Sequence, residues 1–375
     1  MSRLRILHVS SAHPPTDPRI AYRVLPTLAD DYDLTALLPN VRPGRRGGIR
    51  YVSLPMRPTV LGRVVLSYPR VFWRALRLRP RLLHLYDPEL LPLARLLQVL
   101  LRIPVVYEVH ENLHRKLPAT AKNQGALSIW FFRYFDALAR RQFHLILTEH
   151  GYRDTYRDLA KPAVVIYNYP NLPFLEPYRF PYAPSRERPE FFLLGWVSLE
   201  YAFDTLVAAL ARLKPRYPNF IVHLFGRRTL DERACARLPG YAAVRNNLRF
   251  YSYTDQPVAL PYAARATAGL ALLKPIGDFP ESYSTKLFEY MALGLPVVTS
   301  DFPLYRDVVE QHRCGLCVSP LDPVAVADAL TYLIEHPNQA RAMGERGRRA
   351  VESSYNWTSE ATKLRQYYQH VAHGR

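Results

Sequence analysis

The chain of 375 residues is long for a single core and comfortable for two domains of ordinary size. Its 49% hydrophobic and 22% charged residues exclude a disordered chain, and its longest apolar stretch, residues 90–101, is broken by Arg95 and too short to span a bilayer. The formal charge of +18 is unevenly placed: residues 1–170 carry 26 Lys and Arg against 12 Asp and Glu, while residues 171–375 carry 24 against 20, so the N-terminal half is the part expected to attract an anionic partner.

In chain order, Arg3 and Arg5 flank a short apolar run that reads as a first strand over residues 4–10, not as a secretory leader, and a cytoplasmic protein is expected. The loop HPPTDPRI follows, with His13, Asp17 and Arg19. Pro14 and Pro15 remove backbone donors from it, so it cannot form a backbone nest for phosphate. Asp17 suits an N-cap, with Pro18 at the first turn of a helix over residues 20–29; contact with a substrate is the equal alternative. After a strand over residues 34–38 comes a flexible basic loop with Arg42, Arg45, Arg46 and Arg50. Next, Arg63, Arg70, Arg74, Arg77 and Arg81 fall close to one helical face, in a helix whose length Pro69 and Pro80 limit. Such a helix can lie at an anionic membrane surface, and a plain solvated face accounts for it equally well. Nucleic acid is not expected, because no recognised binding module accompanies the charge.

Strands over residues 82–85, 105–109, 145–148 and 164–166 alternate with helices over 90–101 and 129–141, the pattern of a parallel sheet. The run Tyr86-Asp87-Pro88-Glu89 is likewise open between substrate contact and capping, since Asp87 before Pro88 is a good N-cap in its own right. His110 ends the VVYEV strand, where an imidazole can donate to a hydroxyl or a phosphate oxygen without full ionisation. Glu108 and Glu111 flank it, and alternation along a strand lets only one share its side. Residues 171–190, rich in Pro, Tyr and charge and without periodicity, read as a linker. A second alternation begins with strands over residues 191–194, 221–225, 248–250, 269–272 and 297–299, and residues 337–373 read as helical. Three cysteines give no disulfide framework; Cys314 and Cys317 lack a second ligand pair at zinc spacing and read as apolar thiols beside a strand. Ligands of open parallel sheets lie beyond the carboxyl ends of the strands, and His13, His110, Gly226 and Lys274 all fall at such ends.

Residues 281–298, ESYSTKLFEYMALGLPVV, carry the densest chemistry. Ser284 or Thr285 can cap a short helix that Gly294 ends, which leaves Glu281 on the preceding loop and Glu289 on the second turn. Amides at that helix start, around Ser282, Tyr283, Ser284, Thr285 and Lys286, can receive a phosphate, and the two carboxylates can accept from sugar hydroxyls. An ordinary loop–helix–strand unit with two solvated Glu is the plain alternative.

The segment resembles the donor-site motif of retaining glycosyltransferases of family 4, Glu, seven residues, Glu, and the KLFEYMALGLPVV tail makes the likeness specific. HPPTDPRI, YDPELLPLARLL, PVVYEVHEN, VIYNYP, CGLCVSPLDP and YNW look like the matching segments of a bacterial polysaccharide branch, so the likeness runs end to end. It implies an α/β protein of GT-B fold, with two Rossmann-like parallel-sheet domains facing a deep interdomain cleft. Residues 1–170 would bind the acceptor, 171–190 link, 191–354 bind the nucleotide-sugar, and 355–375 return to the first domain. The implied reaction moves a sugar, with retention, from a UDP- or GDP-linked donor to a glycan or lipid-linked acceptor in cell-surface polysaccharide synthesis. It implies no metal and no other cofactor, in the cytoplasm or on the inner face of the cytoplasmic membrane. Glu289 would hold the ribose and Glu281 the transferred sugar, while residues 282–286, Gly226 and Arg227 would complete the donor site. His110 would bond the donor sugar near the reacting carbon; His13, Asp17, Arg19 and Glu111 would contact the acceptor.

One departure stands out. The family's Arg, or Arg and Lys, that neutralises the leaving pyrophosphate is missing: Trp196, Tyr201 and Ala202 occupy that stretch. Losing such a contact with developing charge costs several kcal/mol of transition-state stabilisation. Lys286, Arg227 or Arg228 are the replacements available. A GT-B protein with a degenerate donor site, binding a glycan or partner without turnover, is the alternative.

Overall fold

The computed structural model describes residues 3–112, 114 and 125–374. The chain forms two compact units, one running to Asn168 and resuming at Trp357, the other spanning Tyr169–Asn356.

The first unit contains strands β1 (Arg5–Val9), β2 (Asp33–Pro39), β3 (Gly44–Arg46), β4 (Ile49–Leu54), β5 (Leu82–Leu85), β6 (Val105–Val109), β7 (His144–Leu147) and β8 (Val164–Val165). They form one sheet in the order β3-β4-β2-β1-β5-β6-β7-β8, parallel except for β3. Strands such as β1 and β6 are near-continuous apolar runs because helices bury both faces of the sheet. Helices Val60–Leu78, Leu91–Leu101 and Ala126–Gln142 share one core with the sheet through residues such as Val71, Leu97 and Ala139. The chain from Ile20 to Ala29 and the helix Trp357–His373 share the other, through Leu28, Trp357 and Tyr368.

The flexible basic loop expected around Arg42–Arg50 is instead ordered as a hairpin. Arg45 and Arg46 lie in β3 and Arg50 in β4, joined at Gly47 and Gly48. Their φ values of +54° and +78° supply the two positive-φ positions that a two-residue hairpin turn requires. The basic helix also differs from expectation. It runs through Pro69 to Leu78, Arg81 lies beyond it, and Arg63 turns inward to donate to Glu89 Oε1 at 2.6 Å.

The second unit contains β9 (Glu190–Leu194), β10 (Ile221–Phe225), β11 (Leu248–Phe250), β12 (Ala268–Ala271), β13 (Val297–Ser300) and β14 (Gly315–Val318), all parallel, in the order β11-β10-β9-β12-β13-β14. Residues 171–190, expected to be a linker, belong to this unit. They begin with the short helices Leu172–Leu175 and Glu176–Tyr178, Arg348 reaches Glu176 at 2.7 Å, and the Tyr182 hydroxyl donates to the Thr267 carbonyl at 2.8 Å. Residues 337–373 form two helices, Pro337–Ser353 and Trp357–His373, the second starting at the YNW segment. The second anchors in the first unit, where Trp357 Nε1 donates to Thr27 Oγ1 at 2.8 Å. Cys314 is buried and Cys317 half-buried at β14, and burial pushes both thiols up to about 12, as inert apolar thiols require.

Candidate active site

In the first unit, the expected residues gather at the carboxyl ends of β1, β5 and β6, which are neighbours in the sheet. Asp87 follows β5 and is buried. Its carboxylate accepts from Ser10 Oγ and the Ser11 amide, each at 2.7 Å, and lies 2.9 Å from His13 Nδ1. Asp87 is therefore not a simple helix cap; it organises the loop after β1. Burial works against charge on both partners, yet their mutual attraction wins. It raises His13 from 6.5 to about 10 and lowers Asp87 from 3.8 to about 2. His13 is thus an imidazolium at neutral pH, with its ring centroid 4.9 Å from that of His110.

His110 is held from below. On β6, Glu108 lies two residues back and so shares its side of the sheet. Glu108 is fully buried, with Oε1 2.9 Å from His110 Nε2 and Oε2 3.4 Å from His84 Nε2. The ring nitrogen of His110 left to meet a substrate is consequently Nδ1. Although burial disfavours its charge, Arg19 and the imidazoles hold the Glu108 carboxyl well below its ordinary range. Behind this group, His8 bonds the Tyr86 hydroxyl at 2.9 Å and His84 bonds the Tyr368 hydroxyl of the C-terminal helix. Burial, the largest cause, lowers both histidines from their ordinary value.

Two acceptor-side expectations change. Arg19 is only 4% exposed, and it donates to Glu108 Oε1 at 2.8 Å and to the Ile166 and Tyr167 carbonyls at 2.9 Å each. Its guanidinium lies 5.3 Å from the centre of the Trp357 ring. It ties the unit together from inside and is not presented for contact with an acceptor. Asp17 Oδ1 accepts from the Arg19 and Ile20 amides at 3.0 and 3.1 Å, which is the capping role. Glu111 is exposed just past the strand end.

In the second unit, the helix Thr285–Leu293 starts after Ser284 and ends at Gly294 in the left-handed conformation, as the sequence predicts. Glu281 lies exposed at the end of the short helix Phe279–Glu281 that leads into it. Tyr305, which sequence reasoning did not single out, fixes the loop between: its hydroxyl donates to the Ser282 carbonyl at 3.0 Å and accepts from the Ser284 amide at 3.1 Å. Ser282 Oγ donates to the Asp278 carbonyl at 3.0 Å, and the Tyr283 ring packs on Phe288. The Ser284 amide is therefore engaged, and Thr285 and Lys286 supply the amides that by position lack an intrahelical acceptor. Glu289 is buried on the second turn with Oε1 accepting from Gln256 Nε2 at 2.9 Å, a partner supplied by a residue the motif does not contain.

Of the three cations expected to replace the missing arginine, Arg227 and Lys286 meet residues of the stretch where it is absent. Arg228 pairs with Glu232 at 3.2 Å, and Arg227 lies over Trp196 and Tyr253 at 5.8 and 5.9 Å. Lys274, at the end of β12, pairs with Asp204 at 2.7 Å. Lys286 instead crosses Gly195 and ends 5.5 Å from the Tyr201 ring centre, along the stretch where the arginine is absent. A Cβ on Gly195 would lie 2.6 Å from Lys286 Cε, so the glycine makes room for the lysine. Gly226 in turn has φ +142°, and a Cβ there would stand 1.7 Å from the Gly195 carbonyl oxygen. Backbone strain and close approach together reserve that position for glycine.

Replacing Asp87 with Asn should return His13 towards 6.5, which histidine-selective nitrogen NMR between pH 6 and 9 reads directly. Because the folded His13 value is raised, its stabilising contribution is full below 6.5 and disappears as pH rises through about 10. For Asp87 the contribution is present above 3.8 and is lost as pH falls through about 2. A neutral His13 at pH 8 in the unsubstituted protein would contradict the pairing.

Two parallel-sheet units with polar residues collected at their strand ends define a class of two-domain α/β protein whose ligands lie beyond the carboxyl ends of the strands. A "Glycosyl transferase 4-like domain" profile matches residues 19–171 and a "Glycosyl transferases group 1" profile matches residues 176–350. The chain is 24% identical over 297 residues to a glycogen synthase of Mycobacterium tuberculosis, covering 77% of this chain and 69% of that protein. It is 26% identical over 292 residues to a phosphatidyl-myo-inositol mannosyltransferase of Mycobacterium leprae, covering 77% and 73%. Among solved structures, a sucrose-phosphate synthase from Thermosynechococcus elongatus superposes with a TM-score of 0.78 at 17% identity over all of both chains. The Anabaena protein HepE, solved with UDP-glucose, gives 0.72 at 16% identity over 98% of this chain and 99% of that one. The chain belongs to the family 4 glycosyltransferases, with the GT-B fold, and is a glycosyltransferase of glycan synthesis.

Proposed function

We propose that this enzyme transfers a hexose, with retention, from a UDP- or GDP-linked donor to a glycan or lipid-linked acceptor of the cell surface, without a metal or other cofactor. The observation that carries the reading is Lys286, laid across Gly195 at the opening of the Thr285–Leu293 helix, with Glu281 at the end of the short helix that leads into it. A cation, two helix-start amides and a carboxylate on one segment suit a sugar diphosphate: the lysine and amides would meet the phosphates, and the carboxylate would meet sugar hydroxyls. Glu289, steadied by Gln256, suits the ribose. On the first unit, His110 Nδ1 and the His13 imidazolium would meet the transferred sugar and the acceptor. As the bond from anomeric carbon to phosphate oxygen breaks, the acceptor oxygen bonds to that carbon on the same face, and the departing phosphate oxygen takes the acceptor proton. HepE's complex with UDP-glucose supports the donor class, and the mannosyltransferase relative supports a lipid-borne acceptor. The transfer reading puts the protein in the cytoplasm or on the inner face of the cytoplasmic membrane. Among the described residues no helix is long and apolar enough to cross a membrane.

The test is a thermal shift with UDP and GDP, repeated on Glu289→Ala. One nucleotide should raise the melting temperature by several degrees, and the substitution should abolish most of that rise. If neither nucleotide shifts it, the protein is a glycan or partner binder without turnover, the reading that the missing arginine favours.

A further inference from the structure

In the second unit, residues 179–185 run without helix or strand and form one wall of a cavity of about 520 Å³ that opens to solvent. Both walls are fixed. On one side Arg348 reaches Glu176 at 2.7 Å, the Tyr182 hydroxyl donates to the Thr267 carbonyl at 2.8 Å, and Arg341 donates to the Tyr182 carbonyl at 3.2 Å. On the other, the helix Pro337–Ser353 meets the end of the donor-motif helix backbone to backbone. A Cβ on Gly344 would stand 1.9 Å from the Gly294 carbonyl oxygen, and Arg348 Nη1 donates to the Ala292 carbonyl at 2.7 Å. The cavity is thus preformed, and it lies at the far end of the helix Thr285–Leu293 from the amides and Lys286 that suit the donor. Nine residues of helix, about 13 Å, separate the two.

Its lining mixes two chemistries. Phe180 and Tyr182 bring aromatic rings, and Phe180 is 47% exposed. Donors and acceptors alternate around them: Arg179 and Arg341 are exposed guanidinium groups, and Glu176 and Glu345 are exposed carboxylates. Arg348 also lines the cavity but uses its donors on Ala292, Glu176 and Glu352, so it braces the floor. A phosphate or carboxylate ligand would meet the two free-standing arginines but also two glutamates, and an ammonium ligand would meet the reverse. A sugar hydroxyl both donates and accepts, so it can use both kinds of side chain at once. The C–H face of a pyranose is apolar and lies flat on an aromatic ring. A half-exposed phenylalanine among charges of both signs therefore suits a neutral carbohydrate better than an ion, and the volume lies within the range of small-ligand pockets.

We propose that this cavity is a second carbohydrate site, separate from the donor site, which holds a neutral stretch of glycan against Phe180. The inference rests on the transfer reading for its purpose, keeping a glycan on the enzyme between turnovers, but not for its test. Saturation-transfer NMR on the full chain is run with maltotetraose, cellotetraose and mannotriose. At least one should receive saturation, strongest on the ring C–H protons, and should continue to do so with UDP or GDP in excess. Phe180→Ala with Glu345→Ala should weaken that binding at least about tenfold, through the loss of a stacking face and a charged acceptor. Phe180→Trp, which keeps a ring face, should retain it. Because both side chains are exposed, every variant should keep the unsubstituted melting temperature. Failure of all three sugars to bind overturns the proposal. So does equal binding by the Phe180→Ala/Glu345→Ala variant, which puts the sugar elsewhere, or competitive displacement by inorganic phosphate, which makes the cavity an anion site. A nucleotide shift without sugar binding retires the cavity site and leaves the transfer reading standing. Sugar binding that depends on Phe180, without any nucleotide shift, retires transfer and leaves the cavity site.

Discussion

Replacing Glu108 with leucine should destabilise the first unit by about 3–5 kcal/mol, because it leaves a buried guanidinium without its counter-charge. Glu108 is fully buried and Arg19 is 4% exposed, so water cannot substitute for the lost carboxylate. The same carboxylate lies 2.9 Å from His110 Nε2 and 3.4 Å from His84 Nε2, and its removal takes the negative charge from beside two imidazoles. A second change tells this apart from simple overpacking. Substituting Arg19 with methionine in the Glu108→Leu background should recover a large part of the loss, since removing both charges is far cheaper than stranding one. Hydrogen exchange of β6 amides reads the effect locally, which suits a two-unit chain whose global unfolding is not a single step. Acid should act in the same direction as the mutation. The Glu108 carboxyl is held well below its ordinary 4.5, so its contribution persists from neutral pH down through that value and is lost only as pH falls through the depressed one. If Glu108→Leu and Glu108→Leu/Arg19→Met protect β6 amides equally, the ion pair does not carry the stability assigned to it.

The group that this experiment probes was only half legible in the sequence. Strand runs such as VVYEV and IVHLF declare themselves because a parallel sheet buried on both faces needs continuous apolar residues, and the polar residue that ends each run marks a strand end. Alternation left open which neighbour shares the side of His110, and the structure selects Glu108, two residues back, over Glu111, one ahead. What stayed hidden was the partnership of Glu108 with Arg19 and of Asp87 with His13. Those residues lie 89 and 74 positions apart and meet only because β5 sits between β1 and β6. No local pattern encodes that adjacency, which explains why Arg19 read as an acceptor contact and Asp87 as a cap. The β3–β4 hairpin was hidden for a different reason. Its arginines obscure the alternation, although a Gly-Gly pair between short runs is itself a hairpin signal. In the donor motif the reverse held. Helix start, helix end and the positions of Glu281 and Glu289 follow from a contiguous segment, whereas Tyr305 and Gln256, which brace it, come from other elements.

The absent arginine makes Lys286 the second large test. Lys286→Ala should lower turnover of whichever nucleotide-sugar proves to be the donor by roughly 10²–10³-fold, the usual cost of removing one preorganised donor from developing negative charge. Melting temperature should barely change, because the lysine side chain is partly exposed and its recorded partner is the face of Tyr201. The two glycines beneath it separate position from stability. Gly195→Ala introduces a Cβ 2.6 Å from Lys286 Cε, the far part of a flexible chain, so the fold should survive while the ammonium is displaced and turnover falls. Gly226→Ala places a Cβ 1.7 Å from a backbone oxygen at a φ that L residues rarely adopt, so it should impair folding of the second unit before any rate can be measured. Lys286→Arg, which keeps the charge on a longer and flatter group, should retain a measurable part of the activity. Turnover within twofold of the unsubstituted enzyme for Lys286→Ala would mean that the pyrophosphate is neutralised elsewhere, with Arg227 beside Trp196 the next cation at the same strand ends.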